Sequence, residues 1–227
     1  MKPDGIVLDL DDTLYDTTRL LLPWADRRAI AAMCVAGLDL GEDEALRRLL
    51  ELRRDGVVRT FAALAAERGA PDRSVAAGED AWFDYDPPPM SLDPPVAAAL
   101  DELAAMAPLA LFTLGNVATQ RRKVERLGIA PRFADLRFVD FRGADGKTEA
   151  LASILRDQRW DASRVVVCGD RADGDVRAGN RNGCLTVLVR REGTEFANVA
   201  PASPDDVQWR TIASVAELPA LLRGERA

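Results

Sequence analysis

Histidine is absent from the 227-residue chain. That absence excludes a Ser-His-Asp or Cys-His triad, an imidazole acid/base and histidine-ligated zinc, so proton transfer falls to carboxylates or lysine. Lysine is scarce too: Lys2, Lys123 and Lys147 are the three lysines among 30 basic residues. Cys34, Cys168 and Cys184 stand in separate apolar contexts without CxxC spacing, which supports neither a disulfide framework nor a zinc site and predicts buried thiols. No apolar run reaches the roughly 18–20 residues of a membrane span, and the apolar part of the opening MKPDGIVLDLDD is too short and too acidic for a signal peptide. A cytoplasmic protein without membrane contact is expected. Excess positive charge is also missing: 30 Lys+Arg face 37 Asp+Glu, a formal charge of −7. This argues against nucleic acid or anionic lipid as partner and leaves local phosphate binding open.

What the chain does have is alternation. Apolar runs recur at Ile6–Leu10, Leu109–Leu114, Leu136–Val139, Val165–Cys168 and Leu185–Val189, and read as strands buried on both faces, the habit of parallel sheets. Helical patterns separate the later four: Val117–Leu127 before Gly128, Thr148–Asp157, and Val176–Arg181 before Gly183. The prediction is an α/β fold with a doubly wound parallel sheet. The interval after the first strand is helical in pattern, with candidates Thr17–Val35, Asp43–Arg54, Thr60–Glu67 and Ser74–Phe83. It closes with Asp86–Pro95, five prolines in ten residues, read as a stiff connector. Residues 15–91 are therefore expected to form an all-helical cap with a Pro-rich return linker, inserted into a catalytic core of residues 1–14 and 92–227. Near the end, Thr211–Leu222 is expected to add a short strand and a closing helix. Trp24, Trp82, Phe83 and Tyr85 read as helix-packing residues of the cap, and Arg121-Arg122-Lys123 and Arg190-Arg191 as solvated charges.

Ligands of open α/β sheets bind at the carboxyl ends of the strands, so the polar residues ending each run carry the chemistry. Strand one ends in Asp9-Leu-Asp11-Asp12-Thr13, strand two in Thr113-Leu114-Gly115-Asn116 and strand four in Gly169-Asp170-Arg-Ala-Asp173-Gly-Asp175; Lys147 opens the helix leading into strand four. Carboxylates gathered this closely repel one another, and an oxygen-rich site of this kind suits Mg²⁺. Without histidine or a useful cysteine the available nucleophile is a carboxylate, with Asp9 the natural candidate for an aspartyl-phosphate. Asp11, two residues on, is placed to protonate an alcohol leaving group and then take a proton from water. Thr113, the backbone N–H groups after it (Leu114, Gly115) and the Lys147 ammonium are suited to holding phosphoryl oxygens.

DLDDT, LFTLGN, a lone Lys147 and GDRADGD, in that order, resemble the four motifs of the haloacid dehalogenase (HAD) superfamily. The resemblance spans the main domain, and the helical insertion is similar to the C1-type cap of one branch. It implies a Rossmannoid core with Asp9 as nucleophile and Mg²⁺ ligand. It further implies Asp11 as general acid/base with its backbone carbonyl on the metal, Thr113 and Lys147 on phosphate, and Asp170 as a metal ligand. Asp175 completes the fourth motif beside the metal, and Asp173 adds a third carboxylate that competes for that place. Members that cleave carbon–halogen bonds lack the acid at position 11, so the resemblance implies a phosphatase acting on a small phosphorylated metabolite through an aspartyl-phosphate. The alternatives are a phosphomutase or phosphotransferase on the same scaffold, or a phosphate-binding regulatory protein. The DLDDTLYD opening looks somewhat like capped nucleotidase-type members.

Overall fold

In the computed structural model, which describes residues 2–55, 59–141 and 146–225, the apolar runs become the strands of one parallel sheet. They are β1 Gly5–Leu8, β2 Leu109–Gly115, β3 Asp135–Asp140, β4 Val165–Gly169, β5 Leu185–Val189 and β6 Arg210–Ile212, in the order β3-β2-β1-β4-β5-β6. Alternate residues serve opposite faces. Ile6, Leu8, Leu109, Leu111, Val166 and Cys168 join one apolar layer, while Val7, Ala110, Phe112, Val165 and Val167 join the other.

Helices α1 Thr17–Leu20, α2 Leu22–Val35, α3 Glu42–Arg54, α4 Thr60–Glu67, α5 Asp72–Phe83 and α6 Pro94–Met106 lie between β1 and β2. Helices α7 Val117–Leu127, α8 Gly146–Gln158 and α9 Arg177–Arg181 link the following strands, and α10 Leu218–Arg223 closes the chain. Among the described residues no helix is long and apolar enough to cross a membrane. Val96, Leu100 and Leu103 of α6 enter the first layer with Val124 of α7, and Leu151, Ile154 and Leu155 of α8 enter the second with Ala178 of α9. Because β1 pairs with β2 on one side and β4 on the other, the chain switches direction across the sheet at β1. The carboxyl ends of these three strands therefore flank the crevice where α/β sheets bind ligands.

The structure departs from the sequence reading in two helices. Thr17–Val35 is broken at Leu21, because Pro23 lacks an N–H and its ring would meet the carbonyl of Arg19 in a continuous helix. The proline run is not connector throughout: Pro94 and Pro95 form the first turn of α6, where a missing N–H is tolerated. That helix is absent from the reading, although its buried residues Val96, Ala99, Leu100 and Leu103 follow helical spacing.

The chain divides into two compact units, Met1–Arg19 with Pro87–Ala227, and Leu20–Asp86. The second holds α2–α5 around its own core, which includes Ile30, Met33, Leu49, Phe61 and Leu64. Its buried Asp26 accepts a bidentate pair from Arg53 at 2.7 and 2.9 Å and a third bond from Trp82 Nε1 at 3.0 Å. Trp24 meets Tyr85, and Trp82 meets Phe61 and Phe83, edge to face within this unit.

Candidate active site

Asp9 follows β1 directly, and its N–H donates to the Cys168 carbonyl of β4 at 3.0 Å, so the end of the central strand fixes its backbone. Asp170 follows the last residue of β4 in the same way. Asp175 lies in a π-helical turn, Ala172–Val176, and Lys147 is the second residue of α8. These four side chains, drawn from distant parts of the chain, converge. Carboxylate oxygens of Asp9, Asp170 and Asp175 all lie within 4.8 Å of one another, and all three residues are buried. Lys147 Nζ donates to Asp9 Oδ1 and Asp175 Oδ1, each at 2.5 Å, and lies 4.8 Å over the Phe112 ring. The other Asp175 oxygen accepts the Arg171 N–H at 2.9 Å. Asp173 takes no part in this cluster; it pairs with the Arg171 guanidinium at 3.1 and 3.0 Å.

One ammonium faces three buried carboxylates. Burial, then the Asp175 and Asp11 charges working against Lys147, push the Asp9 carboxyl up to about 7. Burial and the charges of Asp9 and Asp175 push Asp170 up to about 9. Although burial disfavours its charged form, Lys147 is held above its ordinary value by Asp175 and Asp9. A compact set of hard oxygen donors with uncompensated negative charge fits Mg²⁺. Cys168 is no rival nucleophile, because burial and the neighbouring Asp175, Asp9 and Asp170 raise its thiol far above the range where thiolate forms. Cys184 is buried as the sequence suggests, while Cys34 is only partly so.

Asp11 has different surroundings. Its Oδ1 accepts from Thr17 Oγ1 at 2.5 Å and Lys123 Nζ at 2.9 Å; its Oδ2 accepts from Gln120 Nε2 at 2.7 Å and Lys123 Nζ at 3.1 Å. Burial works to raise this carboxyl, but Lys123 and the hydrogen bonds from Thr17 and Gln120 outweigh it and hold it below its ordinary value. Lys123 is thus no solvated helix charge. It is 5% exposed and turned inward, because positions 120, 123 and 124 share the buried face of α7. The sequence carried a signal for this: Gln120 falls on the stripe of Val117, Val124 and Leu127, and Lys123 beside it is one of three lysines in an arginine-rich chain.

Thr113 is fully buried in β2, and its Oγ1 lies 2.6 Å from Gln120 Nε2, which also donates to the Leu114 carbonyl at 3.1 Å. Gly115 makes room for that amide: a β-carbon there would press on Gln120 side-chain atoms at 3.0–3.1 Å. Asn116 follows the strand and caps α7, its side chain accepting the Thr119 N–H at 3.1 Å. Asp12, at φ 54°, secures the loop after β1 by accepting the Thr18 N–H at 2.8 Å and its hydroxyl at 2.5 Å.

Sheet order, site position and motif order together define a HAD-type hydrolase, and the model of the haloacid dehalogenase-like hydrolase family matches residues 3–183. The chain belongs to that family and is a HAD-like phosphatase. It is 33% identical over 212 residues to a glyceraldehyde 3-phosphate phosphatase of Methanopyrus kandleri, covering 89% of this chain and 90% of that protein. It is 30% identical over 192 residues to one of Methanocaldococcus jannaschii, covering 82% of this chain and 84% of that protein. Among solved structures, the magnesium-bound HAD hydrolase YfnB of Bacillus subtilis shares the fold with a TM-score of 0.68 at 17% identity, over 98% of this chain and 99% of that chain.

Proposed function

We propose that this enzyme hydrolyses a small phosphomonoester, a phosphorylated triose of the glyceraldehyde 3-phosphate kind, through an aspartyl-phosphate on Asp9. The observation that carries the reading is the Lys147 ammonium bridging Asp9 and Asp175 inside a cluster of three buried carboxylates. A carboxylate so placed has a cation beside it for the incoming phosphoryl oxygens.

An Asp9 oxygen attacks phosphorus, the bond to the ester oxygen breaks, and the alcohol departs with a proton from the protonated form of Asp11, the minor form while Lys123 and Gln120 hold the carboxylate. Asp11 then takes a proton from water as its oxygen attacks the phosphoryl group, which releases inorganic phosphate and restores Asp9. Lys147, the Thr113 hydroxyl and the N–H groups of Leu114 and Gly115 hold the equatorial oxygens. Asp9, Asp170, Asp175 and the backbone carbonyl of Asp11 would hold Mg²⁺. Bound there, the ion would neutralise charge between nucleophile and phosphoryl group.

The triose phosphate is supported by the two relatives named above, both phosphatases of that substrate over most of their length; they outweigh the nucleotidase-like look of the opening segment. A small metabolite as substrate suits a cytoplasmic enzyme. The helical unit Leu20–Asp86 carries none of the reacting groups, and we assign it the role of a cap that selects substrate. The test is kcat/KM for glyceraldehyde 3-phosphate, a nucleoside monophosphate and 4-nitrophenyl phosphate, with and without Mg²⁺. Mg²⁺-dependent preference for the triose phosphate is expected. Equal or better turnover of the nucleotide would overturn the substrate assignment.

A further inference from the structure

We propose that Gln120 and Lys123 are positioning residues that aim Asp11 and thereby govern departure of the alcohol. The inference rests on the acid/base role proposed for Asp11. Both oxygens of that carboxylate are occupied by groups of α7, Oδ1 by Lys123 and Oδ2 by Gln120 and Lys123 together, with Thr17 as the remaining contact. Gln120 is 2% and Lys123 5% exposed. A buried amide and a buried ammonium are unfavourable unless paired, and Asp11 is the shared partner of both. A carboxylate held at both oxygens from one rigid helix is fixed in rotation as well as position.

The same Gln120 amide reaches the strand proposed to bind phosphate, at Thr113 Oγ1 and the Leu114 carbonyl. One side chain therefore spans the proton-transfer group and the phosphoryl-binding strand and sets the distance between them. Gly115, by lacking a β-carbon, admits it. A misplacement of about 1 Å at such a group is enough for a hundredfold loss.

The test uses leaving groups. The ratio kcat/KM reports steps up to alcohol release; an alkoxide needs a proton in that step, whereas 4-nitrophenolate leaves without one. Asp11→Asn, Gln120→Met and Lys123→Met are compared with the wild type on glyceraldehyde 3-phosphate and 4-nitrophenyl phosphate, each checked for folding by circular dichroism. Asp11→Asn and Lys123→Met should each lose about 100-fold in kcat/KM on the alkyl ester and less than about fivefold on the aryl ester, and Gln120→Met, which also gives up its contacts with Thr113 and Leu114, should lose at least about tenfold more on the alkyl ester than on the aryl ester. If Lys123→Met does not fold, the alkyl-over-aryl difference in Gln120→Met decides the question. Equal losses on both esters for the α7 variants, with Asp11→Asn remaining selective, would overturn this inference alone. Equal losses for Asp11→Asn itself would overturn the acid/base role, and the inference with it.

Discussion

A β-carbon on Gly169 would stand 2.2 Å from the carboxylate of Asp175. The last residue of β4 is therefore glycine because the side chain from the following turn folds back over it, where Lys147 Nζ and the Arg171 N–H hold it. Gly169→Ala is expected to lower stability by about 1–3 kcal/mol, the usual range for overpacking. Displacing Asp175 should also lower Mg²⁺-dependent phosphate release by at least about tenfold. Thermal melting and a phosphate assay check both effects. An active, fully stable variant would show that Asp175 need not sit there.

With three buried carboxylates against one ammonium, Mg²⁺ bound there would stabilise the fold as well as serve the chemistry. Mg²⁺ at a hundred times its dissociation constant should add about 2.7 kcal/mol, read as a rise in Tm over protein kept in EDTA. Asp170→Asn removes a carboxyl that burial and its acidic neighbours push up to about 9, and with it the cost of protonating that group on folding without metal at pH 7. It is expected to melt higher than the wild type in EDTA and to gain less from Mg²⁺. A wild-type Tm indifferent to Mg²⁺ would count against the metal site.

Asp206 gives the fold an acid-sensitive tie. Its carboxylate accepts from Arg177 Nε at 2.7 Å and Nη2 at 3.0 Å, and from the N–H groups of Ala202 and Ser203 at 3.0 and 2.9 Å. The Arg177 hydrogen bonds foremost, with the Ala202 N–H and the Ser203 side chain and against burial, hold it down to about 2. Its contribution is present in full above the unfolded value of about 3.9 and fades as pH falls from there through about 2. Asp206→Asn should therefore be less stable than wild type by about 1.5–3 kcal/mol at pH 7, the range for hydrogen bonds to a charged group, with the gap closing toward pH 2. Urea unfolding at pH 7, 4 and 2.5 measures it. A gap independent of pH would contradict this account of the tie.

The inner strands of the sheet were legible because they are apolar on both faces, as in Val165–Cys168 and Leu185–Val189, whereas the edge strand β3, expected to be buried on both faces, is only partly so. Helix α6 was hidden by its own start: Pro94 and Pro95 read as connector until Val96, Leu100 and Leu103 are seen packed on the sheet. Asp9, Asp170 and Lys147 were singled out because each follows a strand or opens a helix at the carboxyl edge of the sheet, and Asp175 because it completes the fourth motif; the folded chain brings these four side chains together. Lys123 was missed because it follows two arginines, and a run of charges hides which of its members lies on the apolar face of α7. The scarcity of lysine that marked Lys147 applied equally to Lys123. Gln120 carries no charge to draw notice, and its importance lies in contacts with Asp11 and Thr113 that only the folded chain brings together.

Asp9 as nucleophile is the claim on which the rest of the chemistry depends, and phosphate release from glyceraldehyde 3-phosphate by wild-type enzyme and Asp9→Asn at saturating Mg²⁺ tests it directly. Mg²⁺-dependent turnover by the wild type is expected, with a loss of at least about a thousandfold in the folded variant because the nucleophile is gone. Turnover by folded Asp9→Asn within about tenfold of wild type would contradict the claim.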